Sequence, residues 1–291
     1  MRMTAFLDKR AQQAQNHTQF SPASINARRI QRRQAQFITG GRILLLVCLI
    51  VVWQLVSGTL INPLFISSPV AVVQQISAWI SDGTLWFHTA ITLQETLLGL
   101  IFGIISGVLV GFFFGIQPVL AKILDPFIIS IYSIPKVALA PLFILWFGID
   151  IQMKVILAAV TVFFLVFLNT LAGVRNVDQD LIDAVLLMGG KQRDIMFKVI
   201  VPSAIGHVLT GLRIAIPYAL IGAVIAELIA SNRGLGYLIN SSASEFNTAG
   251  VFSALLVLTI IAAILNAIVN FIDRKTSRWK AGMSIDKKMI P

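Results

Sequence analysis

Six stretches of this chain are apolar for long enough to cross a bilayer, and no other feature restricts its fold as tightly. They cover residues 43–61, about 91–116, 126–148, 153–173, about 205–230 and 251–272. A segment surrounded by hydrocarbon must satisfy its backbone hydrogen bonds internally, which for separate runs of about 20 residues means helices. The expected class is therefore all-α, a polytopic membrane protein of about six transmembrane helices. Composition agrees: 57% of the residues are hydrophobic, 12% are charged and the mean hydropathy is +0.85, too apolar for a water-soluble domain.

A net charge of +10 would point to nucleic acid in a soluble chain. Here the basic residues sort by side instead. Arg28, Arg29, Arg32 and Arg33 precede the first run, Arg175, Lys191, Arg193 and Lys198 lie between the fourth and fifth, and Arg274, Lys275, Arg278 and Lys280 follow the last, whereas residues 62–88 carry no Lys or Arg. The positive-inside rule then places both termini in the cytoplasm, with a lipid bilayer and no nucleic acid as the surroundings. Residues 1–42 read as a basic tail, disordered or lying as a helix on the membrane surface. Residues 43–273 read as the six-span domain and 274–291 as a second basic tail. The first run lacks a small-residue cleavage site and reads as an uncleaved anchor.

Inside the runs, glycines at 99, 103, 107, 111 and 115 recur every four residues and form a ridge on which another helix can pack closely. The third run contains Pro126, Pro135 and Pro141, so its helix is expected to be kinked or broken, and broken helices line cavities more often than lipid. Pro217 and Gly222 interrupt the fifth. Glu95, Lys136, Arg213 and Glu227 are ionisable groups within apolar runs. Such residues either pair across helices, snorkel to headgroups or line a path. The candidates for a translocation path are Glu95, Pro135, Pro141, Pro217 and Glu227, with Glu95 and Glu227 expected at an outward vestibule.

No catalytic constellation is legible. His17, His88 and His207 have no acid or thiol at ligand spacing, and Cys48 is the only cysteine, so neither a metal site nor nucleophilic catalysis is expected. Gly189-Gly190-Lys191 is not a phosphate loop, because Val185 stands five residues before Gly190 where a glycine is required and Gln192 follows the lysine. No cofactor is expected on this chain, and it is not expected to be an enzyme.

Between the fourth and fifth runs, where a tight turn would suffice, the chain spends twenty residues on DAVLLMGGKQRDIMFKVIVP, Asp183 to Pro202. Ala184, Leu187, Met188, Ile195 and Met196 can form a docking face, Asp183, Lys191, Arg193 and Asp194 can supply rim charges, and Gly189 can turn the chain between two short helices. Helix capping by Asp180, a stop at Gly189 and a restart at Pro202 would explain the residues singly. They would not explain why the segment faces the cytoplasm.

The spacing of this segment, from Asp183-Ala184 through Gly189 to Val199 and Pro202, resembles the cytoplasmic coupling loop of the permease subunits of ABC importers. Further residues narrow the resemblance to the nitrate, sulfonate and taurine group: Ser67-Ser68-Pro69, Ile134-Pro135 with Ala140-Pro141-Leu142, Leu145-Trp146-Phe147-Gly148, Asn169-Thr170 with Gly173, Gly211-Leu212-Arg213, Glu227 and Gly234-Leu235-Gly236-Tyr237. It covers about 60–279. It implies a MetI-like fold in a bacterial inner membrane, two copies forming the path and two ABC ATPase subunits that use the ATP. It also implies docking through a loop at 178–202, where Lys191 follows the glycines, and a solute-binding protein that delivers the cargo. Asp183 and Val185 depart from the usual Glu and Ala. Glu95 stands where sulfonate-type members typically carry Arg, which favours a pyrimidine-type vitamin precursor over an anion. The rival class is a self-contained secondary transporter or channel, which would show an internal repeat; none is found.

Overall fold

The computed structural model describes residues 22–276, and among them every element is a helix apart from one isolated bridge between Ser57 and Ile61. Helix α1 (Pro22–Val56) runs unbroken through the first apolar stretch. Residues 22–42 thus continue the span, in place of the disorder or separate surface helix expected there. Their Ala, Arg and Gln favour helix, and no proline follows Pro22 until after the span. The rest of both tails, 1–21 and 277–291, lies outside the described residues. At the end of α1, Trp53 Nε1 donates to the Ser67 carbonyl at 2.7 Å, and just past it Ser57 Oγ donates to that of Ile66 at 2.9 Å. This part, up to Val70, is one compact unit, and the chain from Ala71 is a second.

Helix α2 (Pro69–Ser81) leads into α3 (Thr84–Gly115), which begins seven residues before the apolar run. The Asp82 carboxylate accepts from the Thr84 backbone N–H at 2.9 Å, and that bond, ahead of other contacts, holds its pKa below the usual carboxylate value. The glycine ridge of α3 lies against α6 (Ile151–Arg175) in constant register: Gly99 faces Ala158, Gly103 Val162, Gly107 Val166, Gly111 Thr170 and Gly115 Val174. Rising numbers on one helix match rising numbers on the other, so α3 and α6 run parallel. A Cβ added at Gly103 would lie 2.6 Å from Val162 Cβ and 2.7 Å from the Ala159 carbonyl oxygen.

Parallel packing requires the chain between Gly115 and Ile151 to return across the bundle. It does so through α4 (Pro118–Ser133), an 83° bend, a 3-10 turn (Lys136–Leu139) and α5 (Ala140–Phe147). These pieces together form one broken crossing, which with α1 and the four other long helices makes six. The crossing starts earlier than the sequence suggested, because Pro126 sits inside α4 without ending it. The break falls at Pro135, before which Ile134 takes the extended conformation (φ −64°, ψ 126°) that a following proline favours.

After α7 (Gln179–Leu187), helix α8 (Gln192–Ile229) runs antiparallel to α6, with Gly211 against Val166 and Asn169 and Gly222 against Ala158. Part of the stretch expected as an outside loop is instead α9 (Leu235–Ser244), and α10 (Thr248–Thr276) makes the last crossing. Trp79, Leu220, Leu238 and Val257 join α2, α8, α9 and α10 in one core. Phe143, Leu157 and Ala226 join α5, α6 and α8 in another.

Candidate functional site

Two sites stand at opposite ends of the bundle. At the α9 end, Glu95 of α3 and Glu227 of α8 are 1% and 0% exposed. Lys154 Nζ, on α6, donates to Glu95 Oε1 at 2.9 Å and is itself buried. Glu227 accepts from Thr92 Oγ1 through Oε1 at 2.7 Å and from the Gly236 N–H through Oε2 at 2.6 Å. The Leu235 N–H donates to Thr92 Oγ1 at 2.8 Å and the Gly234 N–H to His88 Nδ1 at 2.9 Å, while the His88 ring stacks on Tyr237. The first amides of α9, orphaned in any helix, are thus received by side chains of α3 and α8. The glycines are what let them approach: a Cβ at Gly234, whose φ is +100°, would run into the Glu227 carboxylate, and one at Gly236 would lie 2.7 Å from Glu227 Cβ.

The expectation for the two acids therefore divides. Glu227 is engaged inside the fold as the anchor of α9. Glu95, with Gln94, Asp150, Lys154, Asn232 and Arg233, lines a cavity of about 580 Å³ at the same end. Its partner is neither Lys136 nor Arg213 but Lys154, which sequence reading passed over as the second residue of its run. Charge within an apolar run is the signal that would have found Lys154.

At the other end lies the segment singled out by its spacing. Asp178, two residues before the expected Asp180, caps α7 by accepting from the Asp180 N–H at 3.0 Å. The helix stops at Leu187, and Gly189 turns the chain with φ +78°, a left-handed conformation that side-chain-bearing residues rarely hold. The Lys191 N–H then donates to Asp194 Oδ2 at 2.9 Å, and Lys198 pairs with Asp194 at 2.7 Å. Leu187 and Met188, 89% and 86% exposed, form an apolar tip, with Asp183, Ala184 and Lys191 exposed around it. Ile195 and Val199 instead point inward and are buried, and Met196 is half-buried, so the docking face expected from sequence is confined to the α7 side. Four residues apart on a helix, Ile195 and Val199 share a face, and they anchor the loop. A π-helical turn (Met196–Ile200) follows, and Pro202 lies exposed at the start of regular helix.

Helix α8 is 38 residues long, about 57 Å at 1.5 Å per residue, against a hydrocarbon core of about 30 Å. With Glu227 near its far end, its first turns and α7 with them must project beyond the bilayer. Of the other path candidates, Pro135 is at the 83° bend, Pro141 is exposed in the first turn of α5, and Pro217 is half-buried within α8. Among the described residues, no cluster of three or more His, Cys, Asp or Glu side chains is grouped as metal ligands would be.

Residues 99–278 match the family described as "Binding-protein-dependent transport system inner membrane component". The taurine transport system permease protein TauC of Escherichia coli is 34% identical over 81% of this chain and 87% of its own length. The riboflavin transport system permease protein RibX of Chloroflexus aurantiacus is 32% identical over 81% and 88%, and the formylaminopyrimidine transport permease protein ThiX of Halalkalibacterium halodurans 29% over 80% and 92%. Among solved structures, a chain of the inward-facing MetNI methionine ABC transporter superposes with a TM-score of 0.59 at 18% identity, covering 68% of this chain and 97% of that one.

Proposed function

The chain belongs to the family of binding-protein-dependent transport system inner membrane components, and from that premise we propose how it works: as the permease subunit of an ATP-driven importer, coupled through 178–202 to a separate ATPase. The observation that carries this reading is the α7 end of the bundle, where an exposed apolar tip at Leu187 and Met188, rimmed by Asp183 and Lys191, is held on a turn beyond the span. A surface of this kind, apolar at the centre and charged at the rim, suits a protein partner. Asp183, Ala184, Gly189 and Lys191 form its exposed part, and Val199 and Pro202 root it in α8.

Lys191, Arg193 and Lys198 assign the α7 end to the cytoplasm by the positive-inside rule. The same rule, applied to the Arg residues before the first apolar run and to the basic residues after the last, puts both termini in the cytoplasm. The α9 end then faces outward, and its cavity at Glu95, Asp150 and Arg233 is where a solute-binding protein delivers cargo. Two copies form the path, with Pro135, Pro141 and Pro217 giving α4, α5 and α8 their irregular backbone. The cargo is a small organic solute of the kind named for the relatives, taurine, riboflavin or formylaminopyrimidine. ATP is used by the partner, and this chain binds no cofactor.

The test is reconstitution of the chain with its ATPase and binding protein in proteoliposomes. Uptake should require internal or external ATP on the ATPase side and proceed with ion gradients collapsed. Uptake driven by an ion gradient without the ATPase would instead establish the secondary-transporter alternative.

A further inference from the structure

Three helices bring charge to one level of the bundle at the α9 end. Gly99 of α3 and Gly222 of α8 both lie against Ala158 of α6, so the three backbones approach closely there. Glu95 and Lys154 each precede that contact by four residues, about one helical turn, and Glu227 follows it by five on the antiparallel α8. All three side chains therefore lie on the same side of the contact. The two acids meet across α3 and α8. Thr92 and Glu95, three residues apart, are neighbours on one face of α3. Thr92 Oγ1 donates to Glu227 Oε1 at 2.7 Å, and the carboxyl groups of Glu95 and Glu227 are within hydrogen-bonding reach of each other.

Among the described residues, Glu95, Glu227 and Lys154 are the charged side chains that are buried. Fully ionised, they would leave one negative charge uncompensated, which is costly out of water. The N-terminus of α9 offers Glu227 about half a positive charge, which does not complete the balance. Hydrogen bonding shows the same deficit. Lys154 Nζ donates to Glu95 Oε1, Thr92 Oγ1 to Glu227 Oε1 and the Gly236 N–H to Glu227 Oε2. The fourth carboxyl oxygen, Glu95 Oε2, is buried without a donor, and its neighbour is a second carboxyl group. Two carboxylates in contact repel unless a cation or a proton lies between them. A single proton would supply the missing donor and cancel the surplus charge together.

We propose that Glu95 and Glu227 together form a proton-binding site, with one proton shared between Glu95 Oε2 and the Glu227 carboxyl group, and that this proton latches α3 to α8. The proton belongs to the pair and not to either residue. Glu95 also lines the 580 Å³ cavity, so the site can exchange protons with water at that end. The other titratable groups nearby do not take the proton's place. Lys154 is engaged by Glu95, His88 Nδ1 accepts from the Gly234 N–H and so carries no proton there, Tyr237 of α9 stacks on His88, and Asp150 and Arg233 are exposed at the cavity. Loss of the proton sets two carboxylates against each other and loosens α3 from α8 and from the first turn of α9, which Glu227 holds. The site does not depend on the permease reading.

The test is infrared spectroscopy of the full-length chain in lipid bilayers at about pH 7, where exposed carboxyl groups are ionised. A protonated carboxylic acid has its own C=O stretch, which shifts in deuterated water. Wild type should show this band, and Glu95→Gln should abolish it. That substitution can keep an oxygen toward Lys154 and put an amide N–H where the shared proton lies, so it mimics the protonated pair. Stability gives an independent readout. Unfolding releases the proton, so between about pH 6 and pH 8 the wild-type unfolding constant should rise about tenfold more per pH unit than that of Glu95→Gln. Glu227→Gln is the second variant should the first fail to fold, and it too should lose the band. Absence of the band from wild type, its survival in either variant, or identical pH dependence of wild type and Glu95→Gln overturns the proposal.

Discussion

Lys154 and Glu95 share one charge-assisted hydrogen bond in surroundings that would tolerate neither ion alone. Removing one partner leaves the other buried and uncompensated, at a cost of about 3–5 kcal/mol, whereas replacing both by uncharged residues is far less damaging. Lys154→Met should therefore destabilise the protein by about that amount in a denaturant titration of the solubilised chain, and adding Glu95→Gln should recover most of the loss. A double variant no more stable than Lys154→Met would mean that the two groups are not coupled. At this scale the sequence marks which positions are expensive, Glu95 and Glu227 among them, because a charge in an apolar run stands out in one dimension. It does not reveal partners. Lys154 meets Glu95 from 59 positions away, and Glu227 meets Gly236 only because two glycines admit the backbone of α9 to its carboxylate.

The elements were more legible where a single period governs them. The four-residue glycine repeat of α3 predicts close approach by another helix, and every ridge glycine has its counterpart on α6. Gly103→Leu should disrupt that contact, since the added side chain meets both Val162 and the backbone of Ala159, and overpacking of this kind costs about 1–3 kcal/mol or more. Gly41→Leu, where a Cβ meets nothing within 4 Å, is the matched control. The yield of monodisperse protein after detergent extraction should fall for the first and hold for the second; equal yields would show that the ridge tolerates bulk. Proline was a less certain guide than glycine. Pro126 and Pro135 look alike in the sequence, yet only Pro135 breaks the helix. Helix α9 was missed altogether, because its first turn depends on acceptors supplied by α3 and α8.

For the whole molecule, the parallel packing of α3 on α6 makes the bent pair α4–α5 a crossing, and this in turn puts α7 and α9 at opposite ends. One end gathers the exposed apolar tip and the basic residues, and the other gathers the buried polar cluster and the cavity. Such a division fits a device in which motion at one end changes access at the other. Apolar length and Lys and Arg asymmetry disclosed this layout in the sequence, since both are set by the bilayer and not by particular contacts. The inward direction of Ile195 and Val199 was not legible, because it depends on how α8 extends past the membrane. On the permease reading proposed above, the turn at Gly189 seats the chain on a separate ATPase. Gly189→Arg forces a bulky side chain onto a φ of +78° at the exposed tip while leaving every crossing untouched. Measured in membranes with equal permease levels, this variant should lose copurification of the ATPase, or keep the partner but lose ATP-driven uptake. Wild-type copurification together with wild-type uptake would contradict the claim.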